Sequence, residues 1–308
     1  MNSIAALDAT SAWAVGWDGA IFQTTNGGAT WQLHSSEATD DLNAIAAANA
    51  DTAWAVGDRG AILRTTNGGE TWRRERFGVD RLISVSARDA NTAWAAGENG
   101  SILRFADSRL GWERKDAGGR DYLTAVAALS VNEAWIVGAN GTVLKTLDGG
   151  ASWERQSLGG AATNLTSIAA VDATTAWAVG ESGTILKTSD GGKNWVRQSI
   201  AIEANLIGIA VVPGDPLIAW AVGERGMILR TGDGGASWSV QGDKNTSKAN
   251  LTSIAVLDGM TAWAVGDRGT ILKTVDGGST WVRQDRSRQL QRRPQQGLCL
   301  GVFPQALG

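Results

Sequence analysis

Fourteen of the fifteen tryptophans in this 308-residue chain fall into two series that advance in step. One is Trp13, Trp54, Trp94, Trp135, Trp177, Trp220 and Trp263; the other is Trp31, Trp72, Trp112, Trp153, Trp195, Trp238 and Trp281. Each series steps by 41, 40, 41, 42, 43 and 43 residues, so the chain is seven copies of one unit. A period of about 40 to 45 residues with several short strands per copy is the signature of propeller blades. The expected fold is all-β: one closed seven-bladed β-propeller with four-stranded antiparallel blades. Only Trp17 stands outside the pattern.

The repeat predicts blades over about residues 1–33, 42–74, 82–114, 123–155, 165–197, 206–240 and 251–283, within one domain spanning 1–285. Each unit buries its apolar faces only against its neighbours, so the core is expected between blades rather than at one centre. The Gln/Arg-rich stretch 286–308 matches no blade and has the composition of an unstructured extension; a basic contact arm is the other reading. Met1 stands where the other units have Leu42, Leu82, Leu123, Leu165, Leu206 and Leu251. The chain is therefore expected to start at a blade boundary without a signal peptide of its own; either the protein stays where it is made or an export segment lies upstream of this sequence.

A formal net charge of -3 argues against a nucleic-acid binder, which needs a concentrated basic surface. No apolar run approaches the length of a membrane span. One cysteine, Cys299, rules out a disulfide framework.

Blade 5 shows the unit most clearly. Residues 165–171 read as the innermost strand, 176–179 as the second, 184–188 as the third and 196–198 as a short outer strand, with a glycine hairpin at 180–183. Between the third and outer strands lies Thr188-Ser189-Asp190-Gly191-Gly192-Lys193-Asn194-Trp195. This octet resembles the Asp-box, or BNR repeat, and recurs with Asn26, Asn67, Asp148, Asp190, Asp233 and Asp276 at the key position. These side chains are expected to fold onto backbone N–H groups two residues on. Blade 3 keeps Asp107 and Trp112 but loses both glycines, so its turn is expected to be reshaped.

Asp-boxes occur in sialidases, yet a motif in six or seven equivalent places serves the same structural purpose in each. Glycosidase chemistry needs an acid and nucleophile at one place. The single tyrosine, Tyr122, precedes an inner strand, and the single histidine, His34, is placed in a polar loop. We therefore expect no catalytic residue, no cofactor and no metal site. A glycan-binding or glycoside-hydrolysing BNR propeller is the competing class.

The wider pattern A-W-A-V-G-x-x-G-x-I-L-[KR]-T-x-D-G-G-x-T-W, seen best over 53–72 and 262–281, resembles the photosystem II stability and assembly factor family. That resemblance implies a non-catalytic protein-binding scaffold that assists assembly of a membrane protein complex. It also implies photosystem II reaction-centre subunits or another assembly intermediate as partner, and a thylakoid-lumen or periplasmic location. A monomer without nucleic acid or transmembrane segment is expected.

Two rings of residues compete as the binding surface. The hairpin between second and third strands carries Trp17, Arg59, Arg225 and Arg268, and the stretch 73–81, read as a long loop, adds Arg76 and Arg81. An exposed Trp flanked by Arg has the composition of a binding hot spot. The other ring is Arg64, Arg104, Lys145, Lys187, Arg230 and Lys273, completed by Gln23. Those side chains are expected to lie between blades and pair with acids such as Asp8, Asp89, Asp172 and Asp258.

Overall fold

The computed structural model describes residues 1–78, 80–107, 109–159, 163–198, 200–242 and 248–284. The predicted extension 286–308 lies outside them. The chain forms seven four-stranded antiparallel sheets, each made of consecutive strands. The blades run over 3–34, 42–76, 82–115, 123–155, 165–197, 206–240 and 251–283. In blade 5 the strands are Leu165–Ala170, Ala176–Gly180, Ile185–Thr188 and Val196–Arg197, from inside to outside.

The second strand explains why blades stack. Its Ala-Trp-Ala-Val-Gly sequence is buried along its whole length, because sheets cover both faces. Side chains alternate across a strand, so the large and small residues separate onto opposite faces. Trp177 and Val179 pack on Ala219 and Ala221 of blade 6, while Ala176 and Ala178 receive Trp135 and Val137 of blade 4. Each blade thus offers a bulky face to the next and a small-residue face to the one before. Each inter-blade space is a separate apolar cluster.

At six junctions the second-strand Trp meets the octet Trp of the next blade edge to face, with ring centroids 5.5 to 6.0 Å apart. Such pairs add about 0.5–1.5 kcal/mol beyond the area they bury. The blade 7 to blade 1 junction follows the same rule, with Trp263 against Trp31 and Ile4, Ala12 and Ala14 packed on Val265 and Ile271. Among the described residues no strand is exchanged there. The Met1 ammonium donates to the Gly266 carbonyl, and Thr252 Oγ1 donates to the Met1 carbonyl, both at 3.2 Å.

The blade 2 to blade 3 junction differs. Phe105 takes the place of the octet's Thr and stands between Trp54 and Trp112, 5.7 and 5.6 Å from their ring centroids. Residues 73–76, expected within a loop, instead form the outer strand Arg73–Arg76 of blade 2. The alternation of this strand places Arg73 and Glu75 on one side and Arg74 on the other, against Asp40.

Candidate protein-binding face

Antiparallel blades place the second-to-third hairpins and the links between blades at one end of the ring. The octets and first turns lie at the other. Hairpin tips are built by a residue in the left-handed region, and this is Arg59, Arg225 or Arg268 in three blades, with φ of 55 to 56°. Trp17 stands just before the left-handed Asp18 of blade 1 and is 70% exposed.

The acids beside the tip arginines are turned away from them. Asn205 Nδ2 donates to Glu224 and Asn250 Nδ2 to Asp267, while each asparagine carbonyl accepts the N–H of the preceding blade's tip, Ser182 and Arg225. Asn164 clasps Asn140 and Glu181 in the same way. These asparagines, just ahead of the inner strands, hold the tips of neighbouring blades together. The repeat analysis missed them, although Asn at that position in three consecutive units is visible in the sequence. With the acids so occupied, Arg225 and Arg268 form no ion pair among the described residues and stay exposed.

Arg59 and Arg81 are more constrained. Arg59 and Arg74 both bind the carboxylate of Asp40, which is fully buried, while the Arg59 side chain remains 65% exposed. Arg81 bridges Asp58 Oδ1 at 2.8 Å and Asn43 Oδ1 at 3.1 Å, tying blade 2 to the entry of blade 3. The side chain of Arg76 lies outside the described residues. In the next blade Asp80 accepts from Asn99 and Ser101, and those hydrogen bonds hold its pKa below the usual carboxylate value. Of the tip residues Trp17, Arg59, Arg81, Arg225 and Arg268, the indole and the last two guanidiniums are exposed without an ion pair among the described residues, while Arg59 and Arg81 are engaged.

At the opposite end the octet side chains are engaged by their own turns. In six octets the Asp or Asn Oδ1 accepts the N–H four residues on, not two as expected: Thr30, Thr71, Ser152, Asn194, Ser237 and Thr280. The Thr that opens the octet donates to the same oxygen and accepts from the second glycine, which closes the longer turn. Only Asp107 in blade 3 bonds two residues on, to Arg109. Hydrogen bonds from Ser152 hold the Asp148 pKa down to about 2, and those from Asn194 and Ser237 do the same for Asp190 and Asp233.

The ring of third-strand cations is likewise used by the fold, but not through carboxylates. Lys145 Nζ sits 4.6 Å from the Trp135 ring and donates to the carbonyls of Ala173 and Gly191 in the next blade. Lys187 lies over Trp177 and donates to Gly234; Lys273 lies over Trp263 and donates to Ala9 and Gly27. Arg64, Arg104 and Arg230 reach Ala90, Gly149 and Gly259. Backbone oxygens win over the expected acids because they lie directly beyond the tryptophan face. Burial lowers the pKa of Lys145, Lys187 and Lys273. In blade 1, where Gln23 replaces the cation, His34 covers Trp13 and donates from Nδ1 to the Gly69 carbonyl. His34 is thus on the outer strand Gln32–His34, not in a loop.

Fold and surface together define a closed seven-bladed propeller with exposed Trp and Arg side chains at one end of the ring. The sequence pattern of the photosynthesis system II assembly factor YCF48 matches residues 1–82, 106–208 and 193–304. The chain belongs to that family. No curated protein sequence matches it. Among solved structures it is similar to YCF48 from Cyanidioschyzon merolae, at 20% identity and a TM-score of 0.70, covering 88% of this chain and 94% of that one. It is also similar to a YCF48 bound to D1 peptide, at 19% identity and a TM-score of 0.64, covering 80% and 81%. A GH74 xyloglucanase from Xanthomonas campestris shares the fold at 15% identity and a TM-score of 0.74, covering 92% of this chain and 54% of that one.

Proposed function

We propose that the protein is a non-catalytic scaffold that assists assembly of a membrane protein complex by holding one of its subunits. The partner is a photosystem II reaction-centre subunit or another membrane-protein assembly intermediate, as family membership and the D1 peptide on a YCF48 structure suggest. Binding is carried by the tip face around Trp17, Arg59, Arg76, Arg81, Arg225 and Arg268. The observation that carries this reading is the exposed Trp17 of blade 1, with Arg225 and Arg268 on the two blades before it in the ring, since a large exposed indole is not needed by the fold. By family likeness the protein acts as a monomer on the lumenal or periplasmic side of a membrane.

The enzymatic alternative draws on the GH74 neighbour. A glycosidase acid needs a raised pKa, whereas the displaced carboxylates here, such as Asp80, Glu113 and Asp172, all move down under hydrogen bonds. Among the described residues no cluster of acids, His or Cys has a metal-binding arrangement. The deciding experiment measures D1 peptide binding and xyloglucan hydrolysis side by side. Peptide binding that weakens in Trp17→Ala supports the scaffold. Xyloglucan turnover removed by a single carboxylate substitution would overturn it.

A further inference from the structure

At the blade 2 to blade 3 junction the repeat leaves a lateral opening. Elsewhere the second octet glycine lies flat on the preceding blade: a Cβ on Gly192 would meet Gln156 Oε1 at 2.4 Å and Trp135 at 2.9 Å. In blade 3 the corresponding residue is Arg109, which the packing at other junctions would not admit. Phe105 covers Trp54 instead, and the segment 109–111 stands away from blade 2. Between them lies a cleft of about 480 Å³.

Its chemistry is of two kinds. Phe77, Phe105 and Trp112 give it aromatic walls, and Leu110, 70% exposed, stands among the lining residues. Arg64, Arg73 and Arg109 line it against a single acid, Glu75. Arg64 is fixed between the Trp54 and Phe105 rings, whereas the Arg73 and Arg109 side chains are more than four-fifths exposed and form surface pairs with Glu75 at 3.4 Å and Asp107 at 3.3 Å. The volume falls within the about 300–1,000 Å³ of ligand pockets and admits an aromatic side chain with its flanking backbone.

We infer that this cleft is a second docking site, taking an aromatic side chain flanked by carboxylates on an extended segment of a protein partner. The inference rests on the protein-binding reading but not on the tip residues that carry it. Charge complementarity selects the carboxylates, because Arg64, Arg73 and Arg109 line the cleft against Glu75, with Asp107 beside Arg109 at its edge. Continuity selects a segment of the same partner: Phe77 N–H donates to the Gly60 carbonyl at 3.1 Å, so the cleft abuts the tip that bears Arg59. The flanking outer strands are four and five residues long, against two in blades 4 to 7, and offer more unpaired backbone to an extended chain.

The test uses the full chain and a fluorescein-labelled peptide, acetyl-Gly-Asp-Glu-Phe-Asp-Glu-Gly-amide, read by anisotropy. Replacing the peptide's Phe by Ser is expected to weaken binding about tenfold, and Arg73→Glu and Arg109→Glu to weaken it by a similar factor, as for central interface contacts. Exchanging residues 105–112 for the octet 274–281 restores the regular junction and should abolish binding. Arg283→Glu, on the rim of blade 7, should bind as the parent does. No binding by the parent, or equal binding by the Arg73 and Arg109 variants, overturns the inference; these two exposed substitutions decide even if the octet exchange does not fold. Weakening in Trp17→Ala with none in the cleft variants would place the peptide on the tip face, sinking the cleft while leaving the proposed function intact.

Discussion

The two ends of this propeller are built from the same number of turns, yet they differ in how much of their chemistry the fold consumes. At the octet end, in six of the seven blades the Thr hydroxyl and the Asp or Asn side-chain oxygen close the turn, and the Lys and Arg side chains of blades 2 to 7 reach backbone carbonyls of the next blade. At the tip end, the clasping asparagine repeats in three blades, but the left-handed residues vary as Asp18, Arg59, Asn99, Asn140, Ser182, Arg225 and Arg268, and Trp17 stands one position earlier, where Asp58, Glu98, Glu181, Glu224 and Asp267 are acids. Uniformity marks residues that hold blades together. Variation marks positions where the fold leaves the side chain free to meet something else.

The sharpest way to break that comparison is to remove a tryptophan from each class. Trp177 is fully buried between Trp238, Lys187 and the small residues of blade 6. Trp177→Ala should cost about 3–5 kcal/mol of stability, as other buried tryptophan truncations do. Trp17→Ala should change stability by less than about 0.5 kcal/mol. Chemical denaturation of both variants checks this, and equal losses would show that the exposed indole is part of the core.

Binding should show the reverse order. Trp17→Ala and the charge reversal Arg225→Glu should each cost on the order of 2 kcal/mol in affinity for the partner peptide if they are hot spots. Lys187→Met keeps the apolar stem over Trp177 and should leave affinity unchanged while lowering the thermal midpoint. Titration calorimetry alongside thermal unfolding separates the two. Loss of affinity in Lys187→Met with none in Trp17→Ala would move the site to the octet end.

The difference between the ends also decided what could be read from the sequence. The all-β seven-bladed fold was legible because Trp spacing and the Ala-Trp-Ala-Val-Gly strand follow directly from burial on both faces. That Arg64, Lys145 and Lys187 serve the fold was also legible from their repetition. Their true partners were not, since backbone carbonyls such as Gly234 O carry no signature in the side-chain pattern. His34 was misplaced for a related reason: nothing in one blade shows that a histidine can take the position of a cation contributed elsewhere by the third strand. The partner-facing residues are the least legible, because a position that breaks a repeat says only that the fold does not need it.

Acid provides a weaker test confined to the octet end. Asp148, Asp190 and Asp233 have pKa values lowered from an ordinary 3.8 to about 2 by their hydrogen bonds. A depressed carboxylate contributes stability that is full above its unfolded pKa and is lost as pH falls through the folded one. The thermal midpoint should therefore decline between pH 4 and pH 2. The triple variant Asp148→Asn, Asp190→Asn, Asp233→Asn should fold, since Asn26 and Asn67 already close the same turn, and should decline less steeply over that window. An unchanged slope would mean that these turns do not couple to global unfolding.

The smallest expected effect is the most specific to the tip face. Arg268 occupies the left-handed region at φ 55°, where Asn140 and Asn99 sit in equivalent tips. Left-handed backbone costs most residues about 1–2 kcal/mol, and asparagine is among those that visit it routinely. Arg268 makes no ion pair among the described residues to offset this. Arg268→Asn should accordingly raise stability by on the order of 0.5 kcal/mol while weakening partner binding. A gain in stability at a cost in affinity is what a residue kept for recognition predicts; a loss of stability would mean that the guanidinium supports the blade 7 tip, and Arg268 would then belong with the residues the fold consumes.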